Sequence, residues 1–131
     1  MRITNYQGNT QSFQGIRLHG GSRELLKKVL KPKDWTEFSK IIDEQNQNKI
    51  TDIILWAQNG TNRLLGRVLE NPTEYEYRLK NTSIDYTQHF WESHIGFIKK
   101  LANRANKMKA QIEELPKNQE IESILNKTKQ A

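Results

Sequence analysis

A helical pattern that runs unbroken from Ile84 to Leu115 constrains this chain more than any other feature. A straight helix of that length extends about 48 Å, whereas a compact body of this chain length is roughly 36 Å across. Either the helix breaks, or its C-terminal end overhangs the rest. Ser83 is the expected cap at its start, and Phe90, Phe97, Leu101, Ala105, Met108 and Ile112 form an apolar stripe, with Trp91 and Ile98 also assigned to the body. From Asn103 onward the stripe thins beside a basic flank. That distal half is expected to meet a partner, including a second copy of the chain paired through Met108, Ile112 and Leu115.

Upstream, residues 1–12 are polar and read as a disordered or edge-strand arm. Phe13, Ile16 and Leu18 suggest a short strand, which Gly20 and Gly21 end. Ser22 reads as the cap of a short helix carrying Leu25, Leu26, Val29 and Leu30, closed by Pro32. Asp34 and Glu37 have capping-box spacing ahead of Trp35, Phe38, Ile41 and Ile42, the stripe of a second helix. The period then changes to two. Ile50–Gln58 and Arg63–Leu69 read as strands joined by a tight turn at Asn59-Gly60, and Tyr75, Tyr77 and Leu79 alternate with charged neighbours as a third strand. Ile53 and Leu55 point one way and Ile54 and Trp56 the other, so the central strand requires cover on both faces. Beyond Pro116, Ile121, Ile124 and Leu125 allow a tail helix over part of residues 116–131.

The expected fold is therefore α+β in one domain spanning residues 1–131. It has a short N-terminal strand, two short helices, a three-stranded antiparallel meander and a long C-terminal helix packed on the sheet, with a short tail helix.

Composition narrows the function classes. The chain has 131 residues, no cysteine and a formal charge of +6. Disulfides and thiolate chemistry are excluded. No apolar run approaches the ~20 residues of a membrane span and the N-terminus lacks a signal-peptide pattern, so a cytoplasmic location and no membrane partner are expected. The charge is uneven, with seven basic residues against Glu24 alone in positions 2–33. Arg23, Lys27 and Lys31 recur at four-residue spacing, and Lys99, Lys100, Arg104, Lys107 and Lys109 follow one another without an acid among them. Such cations can track a phosphate backbone or an acidic protein face.

Chemistry-bearing motifs are sparse. On the long helix, Asp85, His89 and Glu92 fall at i, i+4 and i+7, a spacing that lets three ligands share a face. They are weak metal candidates, because a bundle site needs further ligands from other helices. His94 falls on the apolar side and reads as a core histidine. Gly20, Gly21 and Ser22, with Arg23 beside them, resemble a phosphate-cradling turn but lack the full glycine-lysine loop. Trp35, Trp91, Tyr75 and Tyr77 are assigned to the core, and Trp56 is an interface candidate.

The leading reading is a small basic non-enzymatic protein, without catalytic residues or cofactors, that docks on a protein or protein–nucleic-acid partner. Its contact residues are Arg23, Lys27, Lys31, Trp56, Lys99, Lys100, Arg104 and Lys107. The alternative is direct, sequence-nonspecific nucleic-acid binding. A hydrolase or metalloenzyme using His89 or His94 ranks third.

Overall fold

A computed structural model describes residues 15–71, 79 and 82–128. Among these, four strands and four helices follow one another: Gly15–Leu18 (β1), Ser22–Val29 (α1), Pro32–Asn46 (α2), Thr51–Ala57 (β2), Leu64–Glu70 (β3), Ser83–Thr87 (β4), His94–Glu113 (α3) and Leu115–Leu125 (α4). The fold is α+β. The strands form one mixed sheet in the order β1-β2-β3-β4, with β1 parallel to β2 and the other pairs antiparallel. A parallel pair needs a long crossover, and α1 and α2 supply it. The expected three-stranded meander is thus a four-stranded mixed sheet. The strand expected at Tyr75–Leu79 lies, apart from half-buried Leu79, outside the described residues.

Residues 84–93 are the main departure from expectation. Ile84 and Tyr86 alternate with exposed Ser83, Asp85 and Thr87 and pair in register with Val68 and Gly66, so this stretch is a strand and not the first turns of a helix. A turn follows. The helix begins at His94 with Ser93 as its cap, the Ser93 Oγ accepting the Gly96 N–H at 3.0 Å, in place of the expected Ser83. At 20 residues α3 is about 30 Å long and fits on the body. It ends where Pro116, which has no N–H and whose ring would crowd a continuing ladder, falls in the first turn of α4.

The other caps also differ. Gly21, with φ at 77°, precedes α1, and Ser22 is its first helical residue with its hydroxyl buried. α2 starts at Pro32, and Asp34 acts from its third position by accepting the Lys31 N–H at 3.2 Å. The hairpin between β2 and β3 is wider than a two-residue turn. Ala57 pairs with Leu64, so residues 58–63 form the loop, closed by the Gln58 N–H donating to the Arg63 carbonyl at 2.9 Å.

One face of the sheet carries Ile53, Leu55, Leu64, Val68 and Ile84, and α1, α2 and α3 cover it with Leu25, Leu26, Phe38, Ile41, Phe97, Ile98 and Leu101. α3 lies over β2 and β3. Its core stripe continues through Ala105 and Met108 to Ile112, the last only 1% exposed. This corrects the expectation for the distal half: Met108 and Ile112 are core residues, so neither is available to a dimer interface. The overhang starts later, in α4, where no residue is buried and Ile121, Ile124 and Leu125 are exposed.

On the opposite face Asp52 and Ile54 are buried and Trp56 is half-buried, in line with the two-sided apolar pattern of β2. Glu70 ends β3 on the core side. Its carboxylate accepts the N–H groups of Leu79 and Thr82, the latter at 2.6 Å. No helix among the described residues is long and apolar enough to cross a membrane.

Candidate functional site

The corner where α1 meets α2 lies beside the N-terminus of α3, and a cleft of about 610 Å³ opens between them. Lys31 and Lys33 enter it from the start of α2, and Lys99 and His94 from the first turns of α3. Two of the expected cationic positions, Lys31 and Lys99, are therefore brought together although 68 residues apart in sequence. The carboxylates in the cleft are already engaged: Asp34 holds the Lys31 backbone N–H, and Glu37 pairs with Lys99 at 3.2 Å. Among the described residues no carboxylate pairs with the Lys31 or Lys33 ammonium. Val29 and Ile95 contribute apolar wall.

The other expected cations fall elsewhere. Arg23 and Lys27 are exposed on α1 but do not line the cleft. Lys99 and Lys100, adjacent in sequence, leave α3 on different sides. Lys99 leans on α2, whereas Lys100 turns to Glu92 at 2.7 Å and lies over the rings of Tyr86 and Phe97. Arg104 is half-buried and Lys107 exposed, one and two turns beyond Lys100. The helical cations thus divide between two surfaces.

His94 is not a core residue. It is half-buried at the start of α3, and its Nε2–H donates to the carbonyl of Asn62 at 2.5 Å, which fixes the proton on that nitrogen. Asn62 also accepts from Lys28 at 3.2 Å, so the hairpin loop is clipped to both α1 and α3. His94 borders a second hollow of about 380 Å³, shared with Asn62, Arg63, His89, Phe90 and Glu92.

The metal triplet does not share a face, because its residues are not on a helix. Asp85 is on the outer face of β4, where Arg67 donates to it at 2.6 Å and holds its carboxyl below the usual carboxylate range. His89 and Glu92 belong to the turn before α3. Among the described residues no three histidine, aspartate or glutamate side chains are grouped so as to hold a metal ion.

That turn is a surface feature the sequence pattern conceals. Gln88 is buried and exchanges bonds with Leu64: its N–H donates to the Leu64 carbonyl at 3.0 Å and its Oε1 accepts the Leu64 N–H at 2.9 Å. Its Nε2 donates to the Glu92 carbonyl at 2.8 Å, and the Glu92 carboxylate accepts the His89 N–H at 2.8 Å. Held this way, the turn presents Phe90 at 78% and Trp91 at 68% exposure. The His89 and Trp91 rings stack at 4.3 Å and 3°, with Phe90 edge-on to the indole at 5.1 Å. Both aromatics, like Trp35 on α2, were expected in the core and are on the surface.

The His89 N–H, followed by Lys100, lowers the Glu92 pKa from its ordinary value of 4.5. A lowered folded pKa contributes stability above the unfolded value that is lost as pH falls through the folded one. The turn is accordingly expected to loosen on acidification below about pH 4.5, read as a change in indole emission. Glu92→Gln is expected to abolish this acid transition.

Trp56 sits in a third concavity, about 530 Å³, on the outer sheet face. The Arg67 guanidinium lies 5.2 Å from its ring centroid and His19 meets it edge-on at 6.1 Å, so it is half-covered and not a free anchor. Gly20 approaches the same ring, where an added Cβ would stand 2.9 Å from the indole Cδ1. The Gly20-Gly21 turn is thus explained by packing and by backbone geometry, the φ values being 47° and 77°.

The chain matches no protein-family model, no curated protein and no solved structure. The class that fold and surface define is a small mixed-sheet α+β protein with a lysine-lined cleft at one helix corner.

Proposed function

We propose that this is a binding protein that docks on an anionic macromolecular surface through the cleft between the α1–α2 corner and the N-terminus of α3. The observation that carries the reading is the convergence of Lys31, Lys33 and Lys99 there, two of them without a carboxylate partner among the described residues. An acidic surface entering the cleft gains charge-assisted bonds without first breaking an ion pair at Lys31 or Lys33. Val29 and Ile95 offer apolar contact beneath the charges. The hydroxyl beside His94 in the cleft, that of Ser93, caps α3 by accepting the Gly96 N–H, and the His94 Nε2–H is committed to a backbone carbonyl, an arrangement that favours recognition over turnover.

The test is retention on a sulfated-polysaccharide matrix as salt is raised. The native chain is expected to elute at clearly higher salt than Lys31→Glu/Lys33→Glu, while Arg23→Glu/Lys27→Glu, away from the cleft, shifts elution less. Equal elution of the native chain and the cleft variant would reject the proposal. Both pairs are exposed, so the variants are expected to retain the native melting temperature.

A further inference from the structure

The lysine cleft and the aromatic turn are neighbours, because the His94 side chain lines both the cleft and the hollow beneath Phe90. A track that leaves Lys31, Lys33 and Lys99 therefore passes His94 and reaches Arg63 and Phe90, with the Trp91 ring edge-on to Phe90 beside them. We infer that this track binds single-stranded nucleic acid, with phosphates held by the lysines and Arg63 and bases stacked on Trp91 and Phe90. The inference rests on the anion-docking reading above and names its partner.

Three observations favour this ligand over others that aromatics attract. First, the rings are displayed by design of the turn. Bonds from Gln88, His89 and Glu92 hold the backbone, so Phe90 and Trp91 pay little ordering entropy when a base arrives. Second, the rings already show the geometry a base would extend. His89 lies parallel to one face of the Trp91 indole, and sequence-tolerant stacking on aromatic platforms is how single strands are gripped.

Third, several of the polar atoms around the hollow are committed inside the protein. Gln88 bonds Leu64 and Glu92, the Asn62 side chain accepts from Lys28, and Thr61 Oγ1 donates to the Gln58 carbonyl at 3.3 Å. With Gln88, Asn62 Oδ1 and Thr61 Oγ1 engaged, these groups are not offered to base edges, which suits binding without sequence preference. A lipid surface would be better served by cations ringing the aromatic tip than by cations recessed in a cleft on one side of it.

The experiment is a fluorescence-anisotropy titration of the full chain with short oligothymidylate and with a duplex of equal length. Phosphatidylcholine/phosphatidylserine vesicles serve as the comparison. The single strand is expected to bind at least tenfold more tightly than the duplex. Trp91→Ala is expected to weaken single-strand binding about tenfold, the effect of one lost stacked base, while leaving duplex binding unchanged; Trp91→Phe retains most of it. Lys31→Glu/Lys33→Glu weakens both, with a shallower dependence of log K on log salt. Equal affinity for the two nucleic acids, with Trp91→Ala silent and the lysine variant impaired, overturns the stacking inference and leaves the anion-docking reading standing. Vesicle binding that depends on Trp91, with no single-strand preference, overturns it in favour of a membrane. Failure of the native chain to bind any polyanion overturns both.

Discussion

Gly66→Val is expected to lower the stability of the folded state strongly, because α3 rests directly on the bare backbone of β3 at this position. Gly66 is buried in the sheet between Leu55 on β2 and Tyr86 on β4, all three facing the helices. A Cβ placed there would stand 2.3 Å from Leu101 Cδ1 and 3.3 Å from Cδ2 and Cγ. Leu101 is fully buried among Phe97, Ile98 and Ala105, so it has nowhere to swing. Relief requires α3 to lift from the sheet. Overpacking a filled core costs roughly 1–3 kcal/mol and occasionally more, and β-branching adds two further methyl groups to the clash. Against a total stability of about 5–15 kcal/mol, that is a severe loss.

Urea unfolding followed by indole emission would measure it. Gly66→Ala should show a smaller fall in the midpoint. Leu101→Ala alone leaves a cavity costing about 2–5 kcal/mol, but it also makes room for the new Cβ. The double variant Gly66→Ala/Leu101→Ala is therefore expected to be less destabilised than the sum of its parts, by ~1 kcal/mol or more. Native-like stability of Gly66→Val, or strict additivity of the pair, would mean that α3 does not sit on β3 as described.

The same contact shows why some of this fold was legible in the sequence and some was not. The apolar stripe of α3, from Phe97 through Leu101, Ala105 and Met108 to Ile112, can be read from spacing alone, because a core helix must repeat near 3.6 residues. So can β3, which alternates with period two, and the existence of β2 before it, although the tight turn expected at Asn59-Gly60 is a six-residue loop. What spacing does not carry is the point where one period yields to another. Ile84, Phe90 and Trp91 extend the α3 stripe backward on a helical wheel, although Ile84 and Tyr86 belong to a strand and Phe90 and Trp91 to a surface turn. Two local signals mark the true boundary. Ser-Ile-Asp-Tyr-Thr alternates at residues 83–87, and Ser93 stands three residues before Gly96 as a cap.

The site is divided in the same way. Residue type and charge made Lys31 and Lys99 candidates, but their meeting in one cleft depends on α2 lying beside α3, a tertiary fact. Lys100 shows the converse. It carries the same charge as its neighbour Lys99, yet the rotation of one residue along α3 turns it to Glu92 and the aromatic turn. Large apolar side chains are also a one-way guide to burial, so residue type places Phe90 and Trp91 in the body although both are exposed.

Asn48→Ala is expected to produce a large polar loss, because this one side chain satisfies four buried groups at the junction of α2, β2 and α3. Its Oδ1 accepts the N–H groups of Ile50 and Thr51, each at 3.0 Å. Its Nδ2 donates to Gln45 Oε1 at 3.2 Å and to Thr51 Oγ1 at 2.6 Å. The chain of bonds continues on both sides. Thr51 Oγ1 donates to the Ala105 carbonyl at 3.1 Å, and Gln45 Nε2 donates to Asn106 Oδ1 at 2.9 Å, so the end of α2 is tied to the middle of α3 through Asn48. Gln45, Asn48 and Thr51 are all buried. A buried polar group left unpaired costs about 1–3 kcal/mol, and alanine orphans the Ile50 and Thr51 N–H groups at once. A loss of about 3 kcal/mol or more is expected.

The cooperative character of the network gives a sharper test than the single value. Thr51→Val removes the hydroxyl that Asn48 and the Ala105 carbonyl share. Once Asn48 is gone part of that hydroxyl's role has already been lost, so Asn48→Ala/Thr51→Val should cost less than the two single changes added together. Calorimetric or urea unfolding of the four proteins measures the difference; a single cost below ~1 kcal/mol would show that water replaces the side chain. The consequence reaches the opposite end of the helix pair. α2 spans about 22 Å, from the Asn48 junction to the lysine cleft, and among the described residues the bonds fixing it against α3 are those of Glu44 and Gln45 to Asn106 and of Glu37 to Lys99. With Asn48 removed, Gln45 Oε1 loses its donor, so the Gln45 amide that bonds Asn106 is held less firmly and the spacing between Lys33 and Lys99 leans more on the Glu37 pair. Polyanion affinity of Asn48→Ala is therefore expected to fall at temperatures where the variant is still folded, even though no cation of the cleft has been changed.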